Sequence, residues 1–123
     1  MAGALNGAGR AKMDTLEDAG AILQRVHAMV ERYALAVKQQ QNTGVFVLQI
    51  RRTLEPMVGM LKAQFGLISD QAAGVILASS RGGSDVTRVR GLREGVAQLR
   101  TALEIAERKV REQHTEEVPL APE

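Results

Sequence analysis

From Leu16 to Val37 the residues Leu16, Ala19, Leu23, Val26, Val30, Tyr33 and Val37 recur in steps that alternate three and four without a miss. The same alternation returns in Val89, Leu92, Val96, Leu99, Leu103, Ala106 and Val110. A strand exposes alternate residues, whereas this spacing averages 3.5 residues and lines one face of an α-helix. Each stretch covers about six helical turns. Ile22, Met29 and Ala36 widen the first stripe on one side. Two apolar stripes of that length have to be buried against other helices. The expected fold is therefore all-α: an antiparallel bundle of four helices, two of them long heptad helices, one bent and one short.

The punctuation between the stripes sets the other two helices. Gln39 to Gly44 loses the apolar period and ends in turn residues, so a break is expected there, with a single helix running straight through as the alternative. Val45 to Gly66 resumes helical spacing at Val47, Ile50, Leu54, Met57, Val58, Leu61 and Phe65. Pro56 falls opposite that stripe, where it would bend the helix toward solvent or open a fresh one. Gly66 reads as the C-cap, and Ser69 and Asp70 as caps of a short third helix, Gln71 to Ser80. Arg81-Gly82-Gly83 ends it, Ser84 and Asp85 begin the next cap, and the last helix is expected from about Val86 to Gln113. Asp14 and Thr15 offer cap oxygens for the first helix, with Glu17 and Asp18 in its first turn. The resulting domain plan is a disordered leader over 1–13, a helical bundle over 14–114 and a disordered acidic tail over 115–123.

Composition narrows the function classes. The chain has 123 residues, the size of one domain, with only Tyr33, Phe46 and Phe65 as aromatics. No cysteine is present, which removes disulfides, thiolate metal sites and cysteine nucleophiles. No apolar run approaches the roughly 18 residues of a membrane span, and the N-terminus has no continuous apolar core of a signal peptide. An intracellular protein is expected, cytoplasmic or nuclear. A formal charge of +2 by itself selects no partner.

The segment RVRGLREGVAQLR, Arg88 to Arg100, looks at first like a basic arm. On a helical wheel it resolves into three faces. The heptad residues point one way. Gly91 and Gly95, followed by Gln98, Ala102 and Ile105, make a second face of mostly small residues, which suggests a close neighbour. Arginines make the third, with glutamates placed for the i,i+4 pairs Arg90–Glu94, Arg100–Glu104, Glu104–Arg108, Glu107–Arg111 and Arg108–Glu112. Arg81, Arg88, Arg90 and Arg93 remain under-neutralised near the helix start. They are the candidate contacts for an acidic partner or for phosphate.

Other chemistry has little to stand on. "RGGSDVTR" sets glycines and a serine ahead of a helix N-terminus, but no strand precedes it and no Gly-Lys-Ser/Thr follows, so it reads as a capped turn. Arg81 three residues before Ser84 is a weak kinase-site pattern. His27 and His114 lack a second ligand at i,i+4, and no serine sits in a nucleophile elbow. No catalytic residue, metal ligand, cofactor or small-molecule substrate is expected. A membrane-surface helix would want exposed aromatics that the chain lacks. The expected function is non-enzymatic: a protein–protein interaction or structural module, part of a larger assembly or a homo-oligomer using its heptad seams. Ile22, Met29, Met60 and Ile105 are the candidate partner-binding residues, because they add apolar surface beyond the main stripes. The alternative is a nucleic-acid-associated helical protein that binds phosphate through the basic start of the last helix, though almost no aromatic residue is available for base stacking.

Overall fold

The computed structural model describes residues 5–114. They form four helices: α1 (Gly7–Lys38), α2 (Gly44–Leu61), α3 (Gly66–Ser80) and α4 (Asp85–His114). Each helix packs on its chain neighbours, and α4 closes the ring against α1, while the backbones of the diagonal pairs stay apart across the shared core. Asn6 N–H donates to the His114 carbonyl (2.8 Å) at one end of the α1–α4 pair, and Tyr33 donates to Asp85 near the other, so these helices run antiparallel. The result is an up-down-up-down four-helix bundle.

The heptads close within the chain. All seven stripe residues of α4 are buried, as are Leu16, Ala19, Leu23, Val26, Val30 and Tyr33 of α1; Val37 is half-buried against the core. Ile50, Leu54, Met57 and Leu61 enter from α2, and Ile68, Ala72 and Val75 from α3. At 32 and 30 residues, α1 and α4 are about twice as long as α2 (18) and α3 (15). The α2–α3 turn reaches the level of Lys12, Val110 and Gln113, so only about the terminal turn of the long pair extends past it.

Several expectations are corrected. The leader does not reach Met13. α1 starts at Gly7, with Asn6 as its N-cap accepting from Gly9 N–H (2.8 Å), and Met13 is buried. Local composition favours no helix there, and packing on α4 supplies it: a Cβ on Gly9 would collide with the His114 side chain. Asp14 and Thr15 are thus not caps, and Thr15 Oγ1 donates back to the Ala11 carbonyl (3.1 Å) inside the helix. Residues 1–4 of the expected leader and the whole expected tail, 115–123, lie outside the described residues.

The break after Lys38 is a Schellman turn. Gln41 N–H donates to the Ala36 carbonyl and Gln40 N–H to that of Val37, with Gln40 in the left-handed region at φ 55°. Pro56 lies on the exposed side of a continuous α2. Gly66 is not the C-cap of α2, which ends at Leu61; it is the first residue of α3. Ser69 is no cap either. It is buried, and its hydroxyl donates to the Val58 carbonyl (2.8 Å), one of the last-turn acceptors that α2 leaves unpaired. At the α4 start the expectation holds, because Ser84 Oγ accepts from Thr87 N–H (3.1 Å).

The small-residue face of α4 is half right. A Cβ on Gly95 would lie 2.7 Å from Val75 Cγ2, so α3 does approach closely there; a Cβ on Gly91 would meet no neighbouring element within 4 Å. The expected pairs Arg90–Glu94, Arg100–Glu104, Glu104–Arg108 and Arg108–Glu112 do not close. The ion pairs formed among the described residues include Arg88–Asp85 and Arg93–Glu31. Solvated surface charges gain too little from each other to fix long side chains.

Candidate functional site

At the end of the bundle where the α1–α2 and α3–α4 turns meet, one polar cluster ties three segments together. Tyr33 is fully buried and stacks on Phe46, ring centroids 5.8 Å apart. Its hydroxyl donates to Asp85 Oδ1 (2.5 Å), while Thr43 Oγ1 donates to Asp85 Oδ2 (3.0 Å). Arg88 Nη1 donates to both the Tyr33 hydroxyl and Asp85 (3.0 Å each), and Nη2 to the Arg81 carbonyl (3.0 Å). The hydrogen bond from Tyr33, then that from Thr43, holds the Asp85 carboxyl below the usual carboxylate range. Burial, and then the same bond to Asp85, pushes the Tyr33 phenol above its ordinary value. Each of these four side chains is held by another or by a backbone carbonyl, with only Arg88 Nε buried and unpaired, so the cluster works as a clasp between the two turns.

This placement sorts the four arginine candidates. Arg88 is spent inside the clasp. Arg93 holds Glu31 of α1 in a bidentate pair, at 2.7 and 2.9 Å, which lowers the pKa of Glu31. Arg81 and Arg90 are exposed with no side-chain partner among the described residues. The field around them is positive. This end of the bundle carries Arg32, Lys38, Arg51, Arg52, Arg81, Arg88, Arg90 and Arg93 against Glu31, Glu55, Asp85 and Glu94. The rest of the described chain is close to balanced, with eight cations (Arg10, Lys12, Arg25, Lys62, Arg100, Arg108, Lys109, Arg111) and seven carboxylates (Asp14, Glu17, Asp18, Asp70, Glu104, Glu107, Glu112).

The apolar candidates separate as well. Ile22 is buried in the core and offers no surface, because the α1 stripe is wide enough to face two neighbours. Met29 and Met60 are half-buried against the core, and Met29 Sδ also accepts from Thr53 Oγ1 (3.6 Å). Ile105 alone remains well exposed, at 44%.

Ile105 stands at the junction of two open grooves along the α3–α4 seam. One, of about 500 Å³, runs past Phe65, Leu67 and Val110, with Lys12 and Lys109 as its charged lining residues. The other, of about 430 Å³, runs past Ala97, Gln98 and Thr101, with Glu94 as its charged residue. They share Gln71, Ala102 and Ile105. Leu67, 83% exposed, is the most exposed large apolar side chain described, and the sequence reading had not singled it out. It lies one residue after the misplaced helix boundary at Gly66, and correct placement of that boundary was the signal needed to find it.

A third groove, of about 360 Å³, lies between the end of α1 and the start of α4. Among the described residues no group of three or more histidines or carboxylates is placed to hold a metal ion. His27 is exposed, and His114 Nε2 lies 3.1 Å from Lys12 Nζ. No helix among the described residues is long and apolar enough to cross a membrane.

Comparison with protein-family models, curated proteins and solved structures found no match. The functional reading therefore rests on these surfaces.

Proposed function

We propose that this chain is a non-enzymatic interaction module that pairs with a second copy of itself along the α3–α4 strip. The observation that carries this reading is the strip's self-complementarity. Its α4 positions include Glu94, Gln98, Thr101, Ala102, Ile105 and Lys109, beside Ala97, Ala106, Val110 and Gln113. The spacing of the first six, and of Ala97 with Ala106, is symmetric about the Thr101–Ala102 bond. A two-fold axis there would set Lys109 of each copy beside Glu94 of the other, and Ile105 beside Gln98. Ala97 and Ala102 keep the middle low enough for close approach, and Leu67 adds apolar surface from α3. The heptad seams are buried inside each chain, so they hold the fold and do not form this contact. The reading makes the chain a structural component of an intracellular assembly, which its cysteine-free composition fits.

Sedimentation equilibrium across micromolar concentrations tests it. A monomer–dimer equilibrium is expected, shifted toward monomer by Ile105→Glu. Glu94→Lys and Lys109→Glu should each weaken the dimer, and the two together should restore it. Monomer alone at every concentration, or singles and double that behave alike, would sink the idea.

The excess of cations at the clasp end favours a second reading, phosphate binding by nucleic acid through Arg81 and Arg90. Duplex affinity measured against salt decides it: each neutralised phosphate contributes about −0.9 to the log–log slope. No binding at low salt removes it.

A further inference from the structure

We propose that the groove between α1 and α4 at the clasp end binds a short acidic, apolar segment of another polypeptide. An apolar side chain would rest on Val37, Val86 and Val89, and carboxylates would meet Lys38 and Arg90. This surface is separate from the α3–α4 strip, so the proposal goes beyond self-association and stands or falls without it.

Three observations carry it. The first is the charge of the walls. The charged residues lining this groove, Lys38, Arg90 and Arg93, are all cations. Arg93 is already neutralised by Glu31. The side chains of Lys38 and Arg90 make no hydrogen bond or ion pair among the described residues, and they belong to the two different helices. A ligand in the groove therefore meets an unpartnered cation on each side. The second is the floor. Val89 is buried and Val37 half-buried, while Val86 is 57% exposed at the groove's edge. Apolar surface open to water beside unpaired cations suits a ligand with both characters. The third is the surrounding field, since the groove lies at the end of the bundle with twice as many cations as carboxylates.

The floor also separates the kinds of polyanion. A phosphodiester laid across three valines would lose hydration and gain no partner there. No aromatic side chain lines the groove to stack a base. An acidic peptide with a leucine among its glutamates satisfies floor and walls together.

The test uses the full chain and fluorescence anisotropy. The probe is a labelled synthetic peptide of about fourteen residues, four helical turns, with Leu at i, i+3 and i+4 spacings and Glu and Ala elsewhere. Two further probes replace every Glu with Gln or every Leu with Ser, and a fourth is a labelled single-stranded oligonucleotide of similar length. The acidic Leu peptide should bind, with affinity that falls as salt rises. Arg90→Glu, Lys38→Glu and Val86→Ser should each weaken it by about tenfold or more, whereas Arg25→Glu and Lys62→Glu, exposed on other faces, should change it less than about twofold. Both altered peptides should bind at least about tenfold more weakly. All three altered positions are exposed in the folded chain, and an unchanged helical circular dichroism spectrum confirms that each variant folds. The proposal is overturned by no binding, by equal effects at the groove and control sites, by a Ser-substituted peptide that binds as well, or by an oligonucleotide that binds more tightly.

Discussion

At the scale of single residues, Tyr33 and Gln40 are the most informative. Tyr33 is one of the heptad apolar positions, yet its hydroxyl reaches Asp85 and Arg88 across the turns. Tyr33→Phe keeps the ring stacked on Phe46 but leaves Arg88 and Asp85 each short of a bond, at a cost of about 1–2 kcal/mol in chemical denaturation. The pH dependence has a definite sign at each end. The folded Asp85 carboxyl titrates below its unfolded value of about 3.9, so its contribution is complete above about pH 4 and is lost as pH falls through the folded value. Asp85→Asn should be less stable than the parent at pH 7, and the gap should narrow in acid melts below about pH 4. Tyr33 runs the other way. Its folded pKa is raised, so its contribution is complete below about pH 10 and is lost as pH climbs through the folded value. Gln40 holds the left-handed position of the Schellman turn, where glycine is the usual residue. Gln40→Gly should stabilise the chain by about 0.5–1 kcal/mol, read as a higher urea midpoint at unchanged slope. An unchanged midpoint would mean the turn carries no strain.

At the scale of elements, the two glycines of α4 separate helix propensity from packing. Both lie on the face that reads as mostly small in the sequence. Gly91 has open space around it, so Gly91→Ala should raise stability by up to about 1 kcal/mol through propensity alone. Gly95→Ala gains the same propensity but drives its methyl against Val75. Valine in a helix has one strongly preferred rotamer and yields poorly. The expected sign there is destabilising, with a gap of about 1–3 kcal/mol between the two variants. Thermal melts showing the two alanines equal would refute the close α3–α4 approach. The heptads of α1 and α4 were legible because each stripe residue repeats one geometric statement many times over. The α2–α3 boundary was not. Ser69, Asp70 and Gly66 satisfy the local rules for a cap, but Ser69 serves a carbonyl eleven residues back in another helix. Local pattern carries no record of that bond.

At the scale of the whole molecule, the two long helices outrun the short pair at the end that holds Asn6 and His114. Beside the clasp, α1 and α4 pack with α2 and α3; toward Asn6 and His114 they lean mainly on each other. Stability should therefore be graded. Amides around Val26–Val30 and Val96–Leu99 are expected to exchange only on global unfolding, and those near Ala11 and Lys109 by local opening with a lower free energy. Hydrogen exchange resolved by residue checks this, and uniform protection along α1 and α4 would contradict it. The charge distribution is also a property of the assembled chain. A formal +2 spread over 123 residues selects no partner, but folding collects eight cations and four carboxylates at one end.

What the sequence by itself determined is the fold class and the two long stripes, because period is local and repeated; the Schellman turn at Gln40 decided between a break and a continuous helix after Lys38. The sequence also narrowed the charged candidates to Arg81, Arg88, Arg90 and Arg93. Only the tertiary structure decided which of these are free. Arg88 and Arg93 look like Arg90 in one dimension, and Tyr33 and Glu31 become their partners only when α4 lies antiparallel to α1. Likewise Ile22 and Ile105 are equal as apolar residues beside a stripe, and the neighbouring helices bury the one and leave the other in a groove. Partnering and burial depend on which faces meet, and that is a relation between distant segments that no single segment states.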